Sequence, residues 1–245
     1  MTDQTIRPYD PALVAALAAG DASTRLRAAM AAGTNPHPGY VDDLIRRCAV
    51  EPDFFVRDML TWALTRLPAD LTVPVLLPQV ESASPQARAQ ALHTLSKIGD
   101  RSAWTSISPT LLHDADDEVA RTAWRAAVVL VPAGRETWLA NELAGELGRG
   151  STDVRRSLSR ALAGLGDFAA GPLATAKKRG DREVRAHVAA TERLIDDPES
   201  DFEATLEFAS RLNSDPSEGD SAEGDSSEGD SSGQHSSGAE SVDGA

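Results

Sequence analysis

Asp116 to Val131 reads DDEVARTAWRAAVVLV: an acidic residue, a valine three positions on, then apolar residues at the spacing of one helix face. The same phrase begins again at Asp21, Asp53, Ser84, Ser151 and Asp181, with successive starts 32, 31, 32, 35 and 30 residues apart. A phrase returning at so steady an interval marks a stacked-repeat architecture, in which each short unit hides its apolar stripe only against its neighbours. The chain is therefore read as all-α, with about six helical hairpins over residues 10–196 forming one array. Aromatic residues make up only 4% of the sequence while Ala and Leu are abundant, which favours helix over sheet.

Each start is Asp or Ser, a side chain that accepts a hydrogen bond from the unpaired N–H groups of a first helical turn, at ~1 kcal/mol each. Counted from that cap, apolar residues stand at +3, +7, +11 and usually +14, as in Val56, Leu60, Leu64 and Leu67, or Val154, Leu158, Leu162 and Leu165. Successive residues turn by about 100°, so these positions share a single buried face. Position +4 holds Arg25, Arg57, Arg88, Arg155 and Arg185, with Ala120 breaking the row and Arg121 beside it. A guanidinium there is expected to reach a neighbouring repeat, giving a ladder of caps and arginines: Asp21, Arg25, Asp53, Arg57, Ser84, Arg88, Asp116, Ser151, Arg155, Asp181 and Arg185.

The first helices are expected at 11–19, 40–50, 72–80, 102–113, 134–147 and 168–178. Pro109 should kink its helix or start it, and Gly20 is read as the glycine just past a helix end. Residues 202–212 are expected to form a closing helix over the last exposed face, within a capping segment 197–212.

The D-x-x-V-R phrase, the Gly99-Asp100 and Gly166-Asp167 pairs, and Pro109 and Pro172 in first helices resemble HEAT repeats, especially the short kind of phycobilin-lyase-like proteins. The resemblance spans about residues 10–196 and implies a right-handed armadillo-type α-solenoid. It also implies that the second helices line a concave surface that binds other macromolecules. The weak first repeat and the long connection 131–151 depart from the pattern.

On that geometry the outward rows lie near +2, +5 and +9. They offer Phe55, Asp58, Trp62, His93, Arg121, Arg125, Arg156 and Arg160 as concave-face candidates. The four arginines on two neighbouring helices read either as an anion-binding patch or as a solvated face paired with acids such as Glu118 and Asp153. Trp62 reads equally as an exposed anchor or as core, and Trp104, Trp124 and Trp138 are read as core.

Three functions follow as expectations. The first is a non-enzymatic scaffold binding a protein partner on its concave face. The second is nucleic-acid binding of the alkylpurine-glycosylase-like kind through Arg121, Arg125, Arg156 and Arg160. The third is lyase- or chaperone-like action on a cofactor-bearing protein. The sequence has no G-x-S-x-G, P-loop or dinucleotide glycine fingerprint, and its five histidines show no metal-ligand spacing. No catalytic residue, cofactor or metal is therefore expected.

The formal charge is −14, yet nine acids from Asn213 onward, with no Lys or Arg among them, leave the first 212 residues at only −5. That acidity is set against nucleic acid, where affinity rests on phosphate contacts. The tail 213–245 repeats Glu-Gly-Asp in a Ser/Gly background and is expected to stay disordered, either as a solubilising appendage or folded back on the arginines. Residues 1–9 are expected to be loosely ordered. One cysteine, Cys48, fits a reducing compartment, and no apolar run suits a membrane helix. The protein is thus expected to be cytoplasmic and monomeric.

Overall fold

A computed structural model describes residues 8–212. The expectations for residues 1–7 and for the tail 213–245 lie outside the described residues. Within them the chain is helical, with no strand. The helices are α1 Pro11–Leu17, α2 Ala22–Thr34, α3 Val41–Cys48, α4 Phe54–Thr65, α5 Ala69–Leu76, α6 Pro85–Ile98, α7 Pro109–Leu112, α8 Asp117–Leu130, α9 Glu136–Ala144, α10 Thr152–Gly164, α11 Ala170–Arg179, α12 Arg182–Asp196 and α13 Phe202–Leu212.

Even-numbered helices from α2 to α12 form one layer, each packed on the next even one. Odd-numbered helices up to α11 form the other, each packed on the even helix that follows it. Between the layers lies one continuous core. Val56, Leu60, Leu64, Leu92, Leu95 and Leu130 are buried there, and so is Trp124, whose indole Nε1 donates to Leu112 O at 2.8 Å. Trp104 and Trp138 are partly buried and meet edge to face at 5.9 Å.

The caps have a local cause. Asp21, Asp53 and Asp181 accept from the N–H three residues on, at 2.8, 3.1 and 2.9 Å. Ser84 does so at 3.4 Å, and Asp116 takes both Glu118 and Val119 N–H. Ser151 occupies a cap position without a side-chain bond. Its ψ of 169°, like the −174° of Asp181, lies far from the 118–137° of the other four caps. From that backbone the longer aspartate reaches its N–H and the serine hydroxyl does not.

Two of the first helices are more broken than the sequence pattern suggests, with a proline at each break. The segment expected as a helix over 72–80 is α5 followed by a 3-10 turn Leu77–Glu81, since Pro78 has no N–H to continue the α ladder. The segment 102–113 is a 3-10 turn Arg101–Ser106, an extended Ile107, and then α7 with Pro109 at its first position and Ser108 as its cap. Gly20 is not left-handed, and α1 ends at Leu17 with Ala18 as its C-cap. Tyr9 packs on His37 and Tyr40, and Tyr40 Oη accepts the Asp10 N–H at 3.0 Å.

Among the described residues no helix is long and apolar enough to cross a membrane.

Candidate functional site: the seams and the inner face

Two kinds of polar construction arise from the repeats, one between neighbouring repeats and one on the face turned away from the core. At the seams, the +4 arginines gather backbone carbonyls. Arg25 Nη1 donates to Ala19 O and Gly20 O at 3.0 and 2.8 Å, and Arg57 Nη1 to Glu51 O and Pro52 O at 2.9 and 2.8 Å. Arg88 Nη1 donates to Ser82 O and Ala83 O at 2.9 and 3.4 Å, and Arg185 Nη1 to Gly180 O at 2.7 Å. These carbonyls belong to the turn just ahead of each cap.

The rest of the guanidinium reaches the next repeat wherever an acid stands two residues before the next cap. Arg25 Nε and Nη2 grip Glu51 with two 2.8 Å bonds, and Arg88 grips Asp114 at 3.1 and 3.2 Å. Glu51 also accepts from Arg47 at 2.7 Å and from the Asp53 N–H at 2.9 Å. Burial would raise its pKa, but the bond from Arg25, then those from Asp53 N–H and Arg47, outweigh burial and hold it down at about 2. Arg155 departs from the row. Its Nη1 pairs with Glu183 at 2.7 Å, its Nε is buried without a partner, and the turn before it runs through Gly148 and Gly150 at φ +89° and +70°.

Where the row is interrupted at Ala120, the next repeat carries Arg149 two residues before its cap. Arg149 Nη2 donates to Asp114 O at 2.5 Å, the carbonyl a +4 arginine would have taken, while Nε and Nη1 bind Asp117 and Glu146 at 3.1 and 2.7 Å. The guanidinium is supplied from the opposite side of the same seam.

A second polar row runs between even helices. Thr61 at +8 meets Thr94 at +10, with their hydroxyls 3.4 Å apart, and Ser159 at +8 meets Thr191 at +10 at 2.7 Å. His187, at +6 of the last repeat, was not singled out from the sequence and is fully buried here. Its Nδ1 accepts the Gly148 N–H at 2.9 Å, so the ring proton sits on Nε2, 2.9 Å from Arg155 O and 3.0 Å from Ser159 Oγ. Burial pushes its pKa down to about 4. His113 is the opposite case: Glu146 at 2.5 Å and Glu142 at 2.9 Å hold its ring nitrogens and raise its pKa.

These contacts fix the faces of the even helices. Positions +3, +7 and +11 point to the core, +8 toward the following helix, and +6 and +10 toward the preceding one, which leaves +5, +9 and +13 on the inner face. On that face a cleft of about 550 Å³ opens across α4, α6 and α8. Phe54, Arg57 and Asp58 line it from α4; Pro85, Gln86, Ala89, Gln90 and His93 from α6; Asp116, Glu118, Thr122 and Arg125 from the α8 side.

The cleft thus brings together Asp58, His93 and Arg125 of the eight sequence candidates. Phe55 lies outside it, 71% exposed, edge-on to the 66% exposed Phe54 at 5.6 Å. Trp62 is 39% exposed and lays its indole on Gly33 of α2. A Cβ on Gly33 would stand 2.2 Å from that ring, so Gly33→Ala is expected to lower stability by about 1–3 kcal/mol, read from a denaturant melt.

The four arginines do not line one cleft. Arg121 and Arg125 both face Glu118, at 3.4 and 3.6 Å, and Arg125 also bonds Arg121 O and Thr122 Oγ1. Arg156 is paired with Glu203 of α13 at 2.6 Å, and Arg160 is exposed. Phe54, Gln86, Gln90 and Thr122 were not picked out in advance, and Arg57 was expected only as a ladder residue. Gln90 and Thr122 form a +6 row beside the +5 row, and that spacing was available to read.

Helix α13 occupies the inner face at the far end. Phe202, Leu206 and Ala209 bury themselves on Ala186, Ala190 and Leu194, the +5, +9 and +13 positions of α12, in a cluster separate from the main core. The Arg156 guanidinium lies over the Phe202 ring at 5.9 Å while it binds Glu203. The helix therefore lies on the inner stripe of α12. On the edge facing away from α10, Arg182 Nε donates to Ser210 O of α13 at 3.0 Å and Ala189 packs against the same cluster, while Arg193 is exposed.

Among the described residues no three His, Cys, Asp or Glu side chains converge as a metal site requires. No family model matches the chain, and no curated protein matches it in sequence. Among solved structures it is similar to an engineered protein, 18% identical with a TM-score of 0.43, over 81% of this chain and 96% of that one. It is also similar to human deoxyhypusine hydroxylase in complex with glycerol, 19% identical with a TM-score of 0.42, over 82% of this chain and 94% of that one.

Proposed function

We propose that this chain is a HEAT-like scaffold without catalytic activity that binds a protein partner on the inner face of its even helices. The observation that carries the reading is the cleft over α4, α6 and α8, with the exposed Phe54–Phe55 pair beside it. Large exposed aromatics at the edge of a polar concavity are the usual anchors of a protein interface. His93, Gln90 and Asp58 line the cleft with no side-chain hydrogen bond to other described residues, so their donors and acceptors are available to a partner. The acidic pairing of Arg121, Arg125 and Arg156 supports a protein partner over nucleic acid, because each phosphate contact would first have to displace a carboxylate.

The test is a lysate pull-down read by mass spectrometry with wild type and a Phe54→Asp, His93→Glu variant. Both positions are off the core, so the helical signal should persist while recovery of the partner falls about tenfold. An unchanged set of captured proteins would remove the reading. Retention on immobilised DNA at low salt, lost in Arg125→Glu with Arg160→Glu, would replace it with the nucleic-acid alternative.

A further inference from the structure

We propose that the cleft over α4, α6 and α8 receives an amphipathic helix of the partner, seated as α13 is on α12, with a lysine or arginine of that helix paired to Asp58. This rests on the scaffold reading above and names the kind of segment bound.

The molecule supplies the template. Helix α13 places an apolar row, Phe202, Leu206 and Ala209, on the small +5 and +9 residues Ala186 and Ala190. The residue after the first of these, Glu203, pairs with Arg156, the +5 residue of the preceding repeat. The pose has two requirements: a small residue at +5 beneath the helix, and a charge at +5 of the repeat before it.

Only one other place on the inner face repeats both. A helix set on α10 would meet Arg156 and Arg160 beneath it, and one set on α8 would meet Arg121 and Arg125. On α6 it meets Ala89 and then His93, and Ala89 lies on the floor of the cleft. The preceding +5 residue is then Asp58, an exposed carboxylate with no ion pair among the described residues, where α12 has Arg156. The sign of the pair is inverted, so the bound helix must carry a base where α13 carries Glu203. The other charges of the cleft are committed. Arg57 holds two carbonyls, Asp116 caps α8, and Glu118 and Arg125 face each other. Phe54, beside Asp58, is left to cover the apolar side of the incoming helix.

The test uses the full chain and two labelled peptides, residues 200–212 as they stand and the same peptide with Glu203→Lys, followed by fluorescence anisotropy. The α13 seat is already filled intramolecularly, which disfavours either peptide there. The lysine form is expected to bind wild type about fivefold more tightly than the glutamate form, and Asp58→Lys to invert that order. Asp70→Lys, the same charge change on the outer helix α5, should leave the order as in wild type. Equal binding of the two peptides, no binding by either, an order unmoved by Asp58→Lys, or one moved equally by Asp70→Lys would each overturn the proposal.

Failure here is distinguishable from failure of the scaffold reading. If the pull-down partner is lost in Phe54→Asp, His93→Glu but retained in Asp58→Lys, the scaffold stands and the helix pairing falls.

Discussion

Glu51→Gln is expected to cost about 3 kcal/mol of folding stability, a fall in Tm of about 6–12 °C for a chain of this size. Glutamine keeps the shape and removes the charge. What remains is Arg25, 6% exposed at its side chain, facing a neutral amide in a site that is 0% exposed on the other side. An uncompensated buried charge is the expensive outcome, whereas replacing both partners by apolar residues is often neutral. Arg25→Met combined with Glu51→Leu should therefore recover part of the loss, the remainder reflecting Arg47 and the Asp53 N–H, which still lose their acceptor. A thermal melt of the single and double variants reads both. A single variant within about 0.5 kcal/mol of wild type would show that the first seam carries no net stabilisation.

The second large effect is a pH dependence centred on His187. Its folded pKa, about 4, lies below the unfolded 6.5, so the unfolded chain binds the proton more readily throughout that window. Stability is complete above pH 6.5 and falls as the pH drops toward 4, by up to about 3 kcal/mol. His187→Gln should flatten that limb while lowering stability at pH 7.5, since the Gly148 N–H, the Ser159 hydroxyl and the Arg155 carbonyl lose a fitted partner. His113 works in the other sense. Its raised pKa gives stability that is complete below 6.5 and is lost as the pH climbs through the folded value. With His187 removed, His93, whose pKa burial and then Arg125 lower, still loses stability toward acid, while His113 loses it toward base. Urea titrations at four or five pH values between 4 and 8 test the sign, and an acid limb unchanged in His187→Gln would refute the assignment.

The sequence displayed the even helices because their signals are local: an oxygen-bearing cap, a valine three residues on, and leucines one turn apart. The odd helices were misjudged in extent for an equally local reason, since Pro78 and Pro109 withhold the N–H on which an unbroken helix depends. The seams were half legible. Arginines at +4 stood out, but the replacement of Ala120 by Arg149 is visible only when the gap is compared with the residue two before the next cap. His187 was hidden because position +6 carries no repeating residue type. The seat of α13 had a signature that passed unread: Ala186 and Ala190 are small on the two rows where other repeats carry Asp58, Arg121, Trp62 or Arg125. Rows face solvent with bulk and charge, and turn small where something lies on them.

The supply of Arg149 from across its seam bears on how such a chain grows or shrinks during evolution. The acid grips of Arg25 and Arg88 each join a residue four after one cap to a residue two before the next, so both ends fall inside a segment cut from cap to cap, 21–52 and 84–115. Excising or copying a stretch with those ends carries each of these two ion pairs along whole, while Arg149 to Asp114 O and Arg155 to Glu183 span such a cut. Cutting at hairpin borders instead, for instance 101–131, would delete Asp114 and orphan Arg88, and would leave Arg149 only Glu146 of its three partners. The heritable module of this molecule is thus offset from its visible hairpin by one helix.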